Sequence, residues 1–237
     1  MCMGHTHAIS GVVTGLAAGS LLMHEHPAPL VLLTALTAAY VLAPDLDGCH
    51  STEARSFGFV TWCLAWCIRA VSGGHRHGTH SAVGIAAYTA AAWFACLFWH
   101  TWPGRIALFV ILAVGLAAAA DALRIGPAHA ENVAAAGIAA VMCWTGYGLA
   151  LVPLAAALGC ATHILGDMAT KDGCPLAWPL TLHDYHLTPR PLRFSTGKWQ
   201  EHVIVTPLLL GALGFLIWHD TGAMALATHL HVTAGRP

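Results

Sequence analysis

Long stretches without charge alternate along this chain with short segments dense in histidine, aspartate and glycine. Apolar runs occupy residues 8–23, 29–43, 81–99, 105–120, 133–165 and 203–218. Several fall short of the ~20 residues that comfortably cross a hydrocarbon core, yet as a set they predict spanning helices. The run 60–71 is shorter still, and suits an interfacial or re-entrant segment. The 33-residue stretch 133–165 is long enough to cross and return if it breaks near Gly146, Gly148 or Pro153. Residues 221–232 follow as a further short helix or a loose end.

Counting crossings places the polar segments. With the N-terminus on side A, run 8–23 crosses to side B and run 29–43 returns as Pro44-Asp45-Leu46-Asp47 begins. Run 60–71 leaves the chain on side A, where residues 75–80 lie, and runs 81–99 and 105–120 cross and return. Stretch 133–165 goes out and back, so His163 and Asp167 also reach side A. The predicted fold is therefore all-α: a multi-pass transmembrane bundle of about 5–7 helices, with its polar chemistry gathered at helix ends on one membrane face.

Composition supports lipid. Hydrophobic residues make up 57% of the 237 and charged residues 9%, where a soluble domain carries about 25% charged. A soluble, alanine-rich helical protein is the competing reading, and these runs leave it little polar surface. The first seven residues lack the basic region of a signal peptide, so the first apolar run is expected to be retained. Arg55, Arg69, Arg76, Arg124, Lys171, Arg190, Arg193 and Lys198 fall on or near side A, leaving Arg105 and Arg236 elsewhere. The positive-inside bias then makes side A cytoplasmic, in an inner or cytoplasmic membrane. A net charge of −1 offers no polybasic footprint, so no specific nucleic-acid binding is expected. The eight cysteines show no CxxC pairing and read as free, buried thiols. With no internal repeat or low-complexity linker, residues 1–237 read as one domain.

Four clusters carry candidate chemistry. His163 and Asp167 are four apart and share one helix face. Alone, such a pair is as readily a surface hydrogen bond. Asp45 and Asp47 repel when desolvated unless a cation neutralises them, although a solvated turn would also accommodate them. His75, His77 and His80 put three imidazoles into six residues at the start of an apolar helix, a density no helix requires. His7 opens the first run, with His5 its alternative. Histidine nitrogen with aspartate oxygen suits zinc first, or manganese or iron. Thr79 and Ser81 read as an N-cap or as hydrogen-bond donors behind the ligands. Arg76 has the planar donor fork that grips phosphate or carboxylate. His24, His26, His100, His219, His229 and His231 fall on the opposite side or in the tail and read as interfacial.

The ordered set Thr6-His7, Pro44-Asp45-Leu46-Asp47 with Ser51, His75-Arg76 with Thr79-His80-Ser81, and His163-x-x-x-Asp167 followed by Thr170, Gly173, Pro175-Leu176 and Trp178-Pro179 resembles the YdjM-type family of inner-membrane, metal-dependent hydrolases. Phe194-Ser195-Thr196-Gly197 with Glu201 resembles that family's closing segment. The resemblance implies a membrane-bound helical fold with a metal site, and a distant similarity to zinc-dependent phospholipase C and S1/P1-type nucleases. Carried onto this sequence, it implies His7, Asp45, Asp47, His75, His80, His163 and Asp167 as metal ligands. His77 stands where the family more often has glycine, and the apolar material at 105–148 is longer than in short members.

Seven ligands exceed one tetrahedral zinc, so two divalent ions, or three, are expected. On this reading a metal-activated water attacks a phosphoester, phospholipid or other, with Asp47 or Asp45 as general base and Arg76 stabilising phosphate charge. The partners are the lipid bilayer and that small-molecule or lipid substrate. Peptidase, serine-hydrolase and P-loop signatures are absent. The alternatives are a metal-ion transporter or sensor, whose ligands belong nearer the bilayer midplane, and a catalytically inactive, metal-stabilised membrane protein.

Overall fold

A computed structural model describes residues 3–23, 25–49 and 51–234, without the side chains of residue 52 and of residues 221–234. The expectations for Cys2, His24 and Arg236 fall outside the described residues, and those for His229 and His231 outside the described side chains. Among the described residues nine α-helices follow one another: α1 (Gly4–Met23), α2 (Pro27–Tyr40), α3 (Thr52–Arg55), α4 (Phe59–Val71), α5 (Ala82–Leu97), α6 (Trp102–Leu123), α7 (Ala128–Thr145), α8 (Val152–Met168) and α9 (Thr206–Ala234). No strand occurs among the described residues beyond two isolated bridges in the connection 169–200. Among the described residues five helical stretches are long and apolar enough to cross a membrane: Gly4–Met23, Pro27–Asp47, Trp102–Leu123, Leu149–Met168 and Glu201–Asp220. Helices α4 and α5 are apolar but shorter.

Local chemistry sets the boundaries. The long run 133–165 breaks between α7 and α8, where Gly146 and Gly148 both adopt φ of 74°, a left-handed backbone that glycine enters without a Cβ penalty. Pro153 then sits in the first turn of α8, where its missing N–H leaves no bond unmade. Ser81 caps α5 by accepting from Gly84 N at 3.2 Å, and Thr101 caps α6 the same way.

Small residues let α1, α2 and α8 approach closely, as in membrane packing where lipid is as apolar as the side chains. A Cβ on Gly11, Gly15 or Gly19 would come within 2.7–3.0 Å of atoms in or just beyond α2. One on Gly159 of α8 would lie 2.6 Å from Val41 N and 2.7 Å from Tyr40 C. A core of Leu33, Leu36, Tyr40, Leu108, Leu112, Val152 and Ala155 joins α2, α6 and α8. Arg105 opens α6 with its guanidinium 5.6 Å from the ring centre of Trp99, 5.9 Å from that of Trp102 and 6.0 Å from that of Trp144. Such aromatic companions are typical of a membrane–water interface. At the other end, buried Glu201 accepts from Met3 N at 2.6 Å and Gly197 N at 2.7 Å, fastening the start of α1 to the lead-in of α9. This end collects the first turn of α1, the turn after α2, the approach to α5 and the last turn of α8.

Candidate metal centre

At that shared end, His7, Asp45, Asp47, His80, His163 and Asp167 are all buried. His163 and Asp167 project from α8 one turn apart, and the ring of His7 stacks on His163 with centroids 3.9 Å apart. The 3₁₀ turn Ala43–Asp47 delivers Asp45 and Asp47, and the turn Gly78–His80 delivers His80.

The hydrogen bonds fix which atoms face the centre. His163 Nδ1 lies 2.7 Å from Val41 O; a carbonyl only accepts, so Nδ1 carries the proton and Nε2 keeps its lone pair. Thr79 spends its single hydroxyl proton on Asp47 Oδ2 at 2.6 Å, so its 3.0 Å contact with His80 Nδ1 requires Nδ1–H there too. His80 Nε2 and His163 Nε2 therefore point lone pairs at one another across 3.3 Å. Asp45 Oδ1 lies 3.3 Å from His80 Nε2 and 3.8 Å from His163 Nε2, buried and without a hydrogen-bond donor. Asp167 Oδ2 lies 3.7 Å from His163 Nε2 and 3.9 Å from His80 Nε2. The two imidazole nitrogens and Asp45 Oδ1 converge with no donor between them and repel, while Asp167 Oδ2 beside them accepts from Arg76; a cation among them removes the repulsion.

Zinc holds nitrogen and oxygen donors at about 2.0–2.2 Å, which in a tetrahedron sets them roughly 3.3–3.6 Å apart. The five separations above run from 3.3 to 3.9 Å, so these residues fit a divalent ion with only a small contraction. Two ligand triads share this place, His7 with His163 and Asp167, and Asp45 with His80 and His163. His163 offers one free nitrogen and could serve one ion. Asp167 offers two oxygens, Oδ1 being 3.2 Å from His7 Nε2, so it could contribute to either triad.

Asp47 and His75 stand beside the four converging acceptors. Asp47 accepts from His75 Nδ1 at 2.8 Å, Arg76 N at 2.8 Å and the Thr79 hydroxyl, and lies 4.0 Å from His80 Nδ1. His75 is 33% exposed and forms part of the rim. Arg76 holds φ at 64°, unusual for a residue with a Cβ. Its guanidinium, 22% exposed, donates to Gly173 O at 2.6 Å and Asp167 Oδ2 at 3.3 Å, with Asp172 at 3.8 Å. His77 turns away, donating from Nδ1 to Gly73 O at 2.6 Å, and His5 stacks against His202. Neither belongs to a triad.

Sequence reasoning passed over Glu53, which is buried and lies close enough to Asp45 to feel its charge. Burial first, and then the charge of Asp45, push its carboxyl up to about 8. A glutamate in the same polar segment as Asp45 and Asp47, two positions after Ser51, was the available signal. The carbonyls of Val41 and Gly173 had none.

Compared with known families, residues 1–234 match the family model described as YdjM inner membrane protein. No curated protein and no solved structure matches the chain.

Proposed function

Because the chain belongs to the YdjM inner membrane protein family, we propose that it is a metal-dependent hydrolase that cleaves a phosphoester at the membrane surface. The observation that carries this reading is the meeting of His80 Nε2, His163 Nε2 and Asp45 Oδ1 without a proton among them, with Asp167 Oδ2 alongside. Divalent ions held there, zinc before manganese or iron, would supply Lewis-acid charge and lower the pKa of a coordinated water towards ~7. His7, with the second oxygen of Asp167, provides for a further ion.

The chain's own groups divide the remaining work. Asp47 has its oxygens taken by three donors, which suits a carboxylate that positions its neighbours. The proton role passes to His75, oriented by Asp47 through Nδ1 and partly exposed. It takes a proton from the attacking water and returns one to the departing alcohol, so a phosphodiester and water yield a phosphomonoester and an alcohol. Arg76 sits at the rim with a permanent charge and meets the phosphate there. The face is cytoplasmic on this reading: Arg55, Arg69 and Arg124 lie on segments at the site end, and Arg105 opens α6 at the other.

Metal analysis of purified protein, followed by phosphoester turnover with and without a chelator, tests the proposal. Bound metal with chelator-sensitive turnover is expected. Metal flux into proteoliposomes without ester cleavage would transfer the site to a transporter.

A further inference from the structure

Beside the metal centre, α4, α5 and α6, with the end of α2 and Glu53 of α3, line a cavity of about 610 Å³. That lies within the roughly 300–1,000 Å³ of small-molecule pockets. Its walls are carbon almost throughout, with Leu64 and Ile68 from α4, Ala87 and Ala91 from α5 and Val110 from α6. Ser72, Gly78 and Trp178 line its site-facing end, and the hydroxyl of Thr79, also in the wall, bonds Asp47. The cavity therefore shares a wall with the metal centre.

We propose that this cavity seats one acyl chain of a membrane phospholipid, so that the lipid's phosphoester is presented at the Arg76 and His75 rim. The substrate half of this statement rests on the hydrolase reading above; the chain-binding half does not. Three observations choose the occupant. Cys67, Val71, Val83 and Ala87 line the cavity and are exposed, so it opens on the outer surface of α4 and α5. Those helices also expose Trp62, Trp66, Trp93 and Phe94, a surface suited to lipid. A partner helix is too wide: one turn, about 5.4 Å long and about 10 Å across, fills roughly 420 Å³, so little more than a turn would enter. Tyr40, Glu53, Ser72, Thr79 and Tyr88 bring a few polar groups to the lining, but the surface they leave to the cavity is overwhelmingly carbon and favours hydrocarbon over water. A hydrocarbon chain is slender, apolar and present at high concentration in the surrounding bilayer.

The test uses the full chain in phosphatidylethanolamine–phosphatidylglycerol vesicles containing a phosphatidylethanolamine with a diazirine on one acyl chain. With the diazirine at the methyl end, labelling of Leu64, Ala91 and Val110 is expected to exceed that of lipid-facing Leu208 and Phe215 on α9 severalfold. Moving it next to the ester should shift the label to Gly78 and Trp178, a result that needs no variant. Ala87→Trp should abolish the enrichment while leaving α9 labelling and metal content unchanged. Equal labelling of cavity and α9, or enrichment unchanged in Ala87→Trp, overturns the proposal. Cavity labelling without phosphoester turnover would keep the lipid site and remove the hydrolase. Turnover of a soluble phosphoester without cavity labelling would do the reverse.

Discussion

Gly159→Ala should separate the two halves of the metal centre without touching a ligand. The added Cβ would stand 2.6 Å from Val41 N and 2.7 Å from Tyr40 C, and ordinary contact begins near 3.4 Å. Both obstacles are backbone and cannot rotate away, so α2 and α8 must part by about 0.8 Å at their crossing. Asp45 and the Val41 carbonyl move with α2, while His163 and Asp167 move with α8. A metal site tolerates about 0.2 Å of error in its ligand distances, so the displacement exceeds the tolerance severalfold. Overpacking costs about 1–3 kcal/mol, and replacing glycine inside a helix returns about 0.5–1 kcal/mol. Melting in detergent should therefore fall only modestly. Metal affinity should fall about 10–100-fold, as when the groups supporting a ligand are lost. Gly137→Ala in α7, where an added Cβ meets nothing within 4 Å, is the control and should bind metal normally. Titration of both apoproteins with zinc, alongside thermal unfolding, provides the comparison. If Gly159→Ala binds and melts like Gly137→Ala, the α2–α8 crossing does not set the geometry of the centre.

Further outcomes follow from the same contacts. His163→Ala removes a nitrogen common to both ligand triads and should leave purified protein short of metal by elemental analysis; unchanged stoichiometry would remove His163 from the ligand set. Glu53, with an ordinary carboxyl value of 4.5 raised to about 8 in the fold, contributes stability below pH 4.5 that is lost as pH climbs to about 8. At ~1.4 kcal/mol per pKa unit this is several kcal/mol at most. Glu53→Gln should flatten the melting-temperature profile across that window, and a parallel profile would contradict it. Thr79→Val leaves His80 Nδ1 without its acceptor and removes one of the three donors to Asp47, so metal affinity should drop while the fold survives, read by metal titration and circular dichroism. Arg76→Lys keeps a charge but loses the fork, and phosphoester turnover should fall at least tenfold with metal content intact.

The convergence of the site was legible because each crossing is a parity operation. Counting apolar runs put the segments of His7, Asp45, His80 and His163 on one face, and their burial together at the shared helix ends agrees. The break between α7 and α8 was legible for the same kind of reason, since Gly146 and Gly148 interrupt an otherwise uniform run. Thr79 and Ser81 also announced themselves, one orienting His80 and the other capping α5. What stayed hidden depends on backbone atoms and on distance. Val41 holds His163 through a carbonyl, a group every residue carries. Arg76 takes a left-handed backbone that its side chain disfavours, held by Asp47 at its N–H and by Asp167 and Gly173 at its guanidinium. The short run 60–71 gave no sign that α4 walls a cavity, because that requires knowing where α5 and α6 stand.

Glu201 holding Met3 has a consequence for biogenesis. The first helix is threaded into the membrane long before the residue that fastens it exists, because 198 positions separate the two. His7 likewise waits 160 positions for Asp167. During synthesis the early helices must therefore persist as a metal-free assembly that holds only two of the three aspartates, Asp45 and Asp47, and lacks His163. Loading belongs to the end of translation, once α8 has arrived and the lead-in to α9 has latched the amino terminus. A chain truncated before Glu201 would carry every ligand and still have an unfastened first helix.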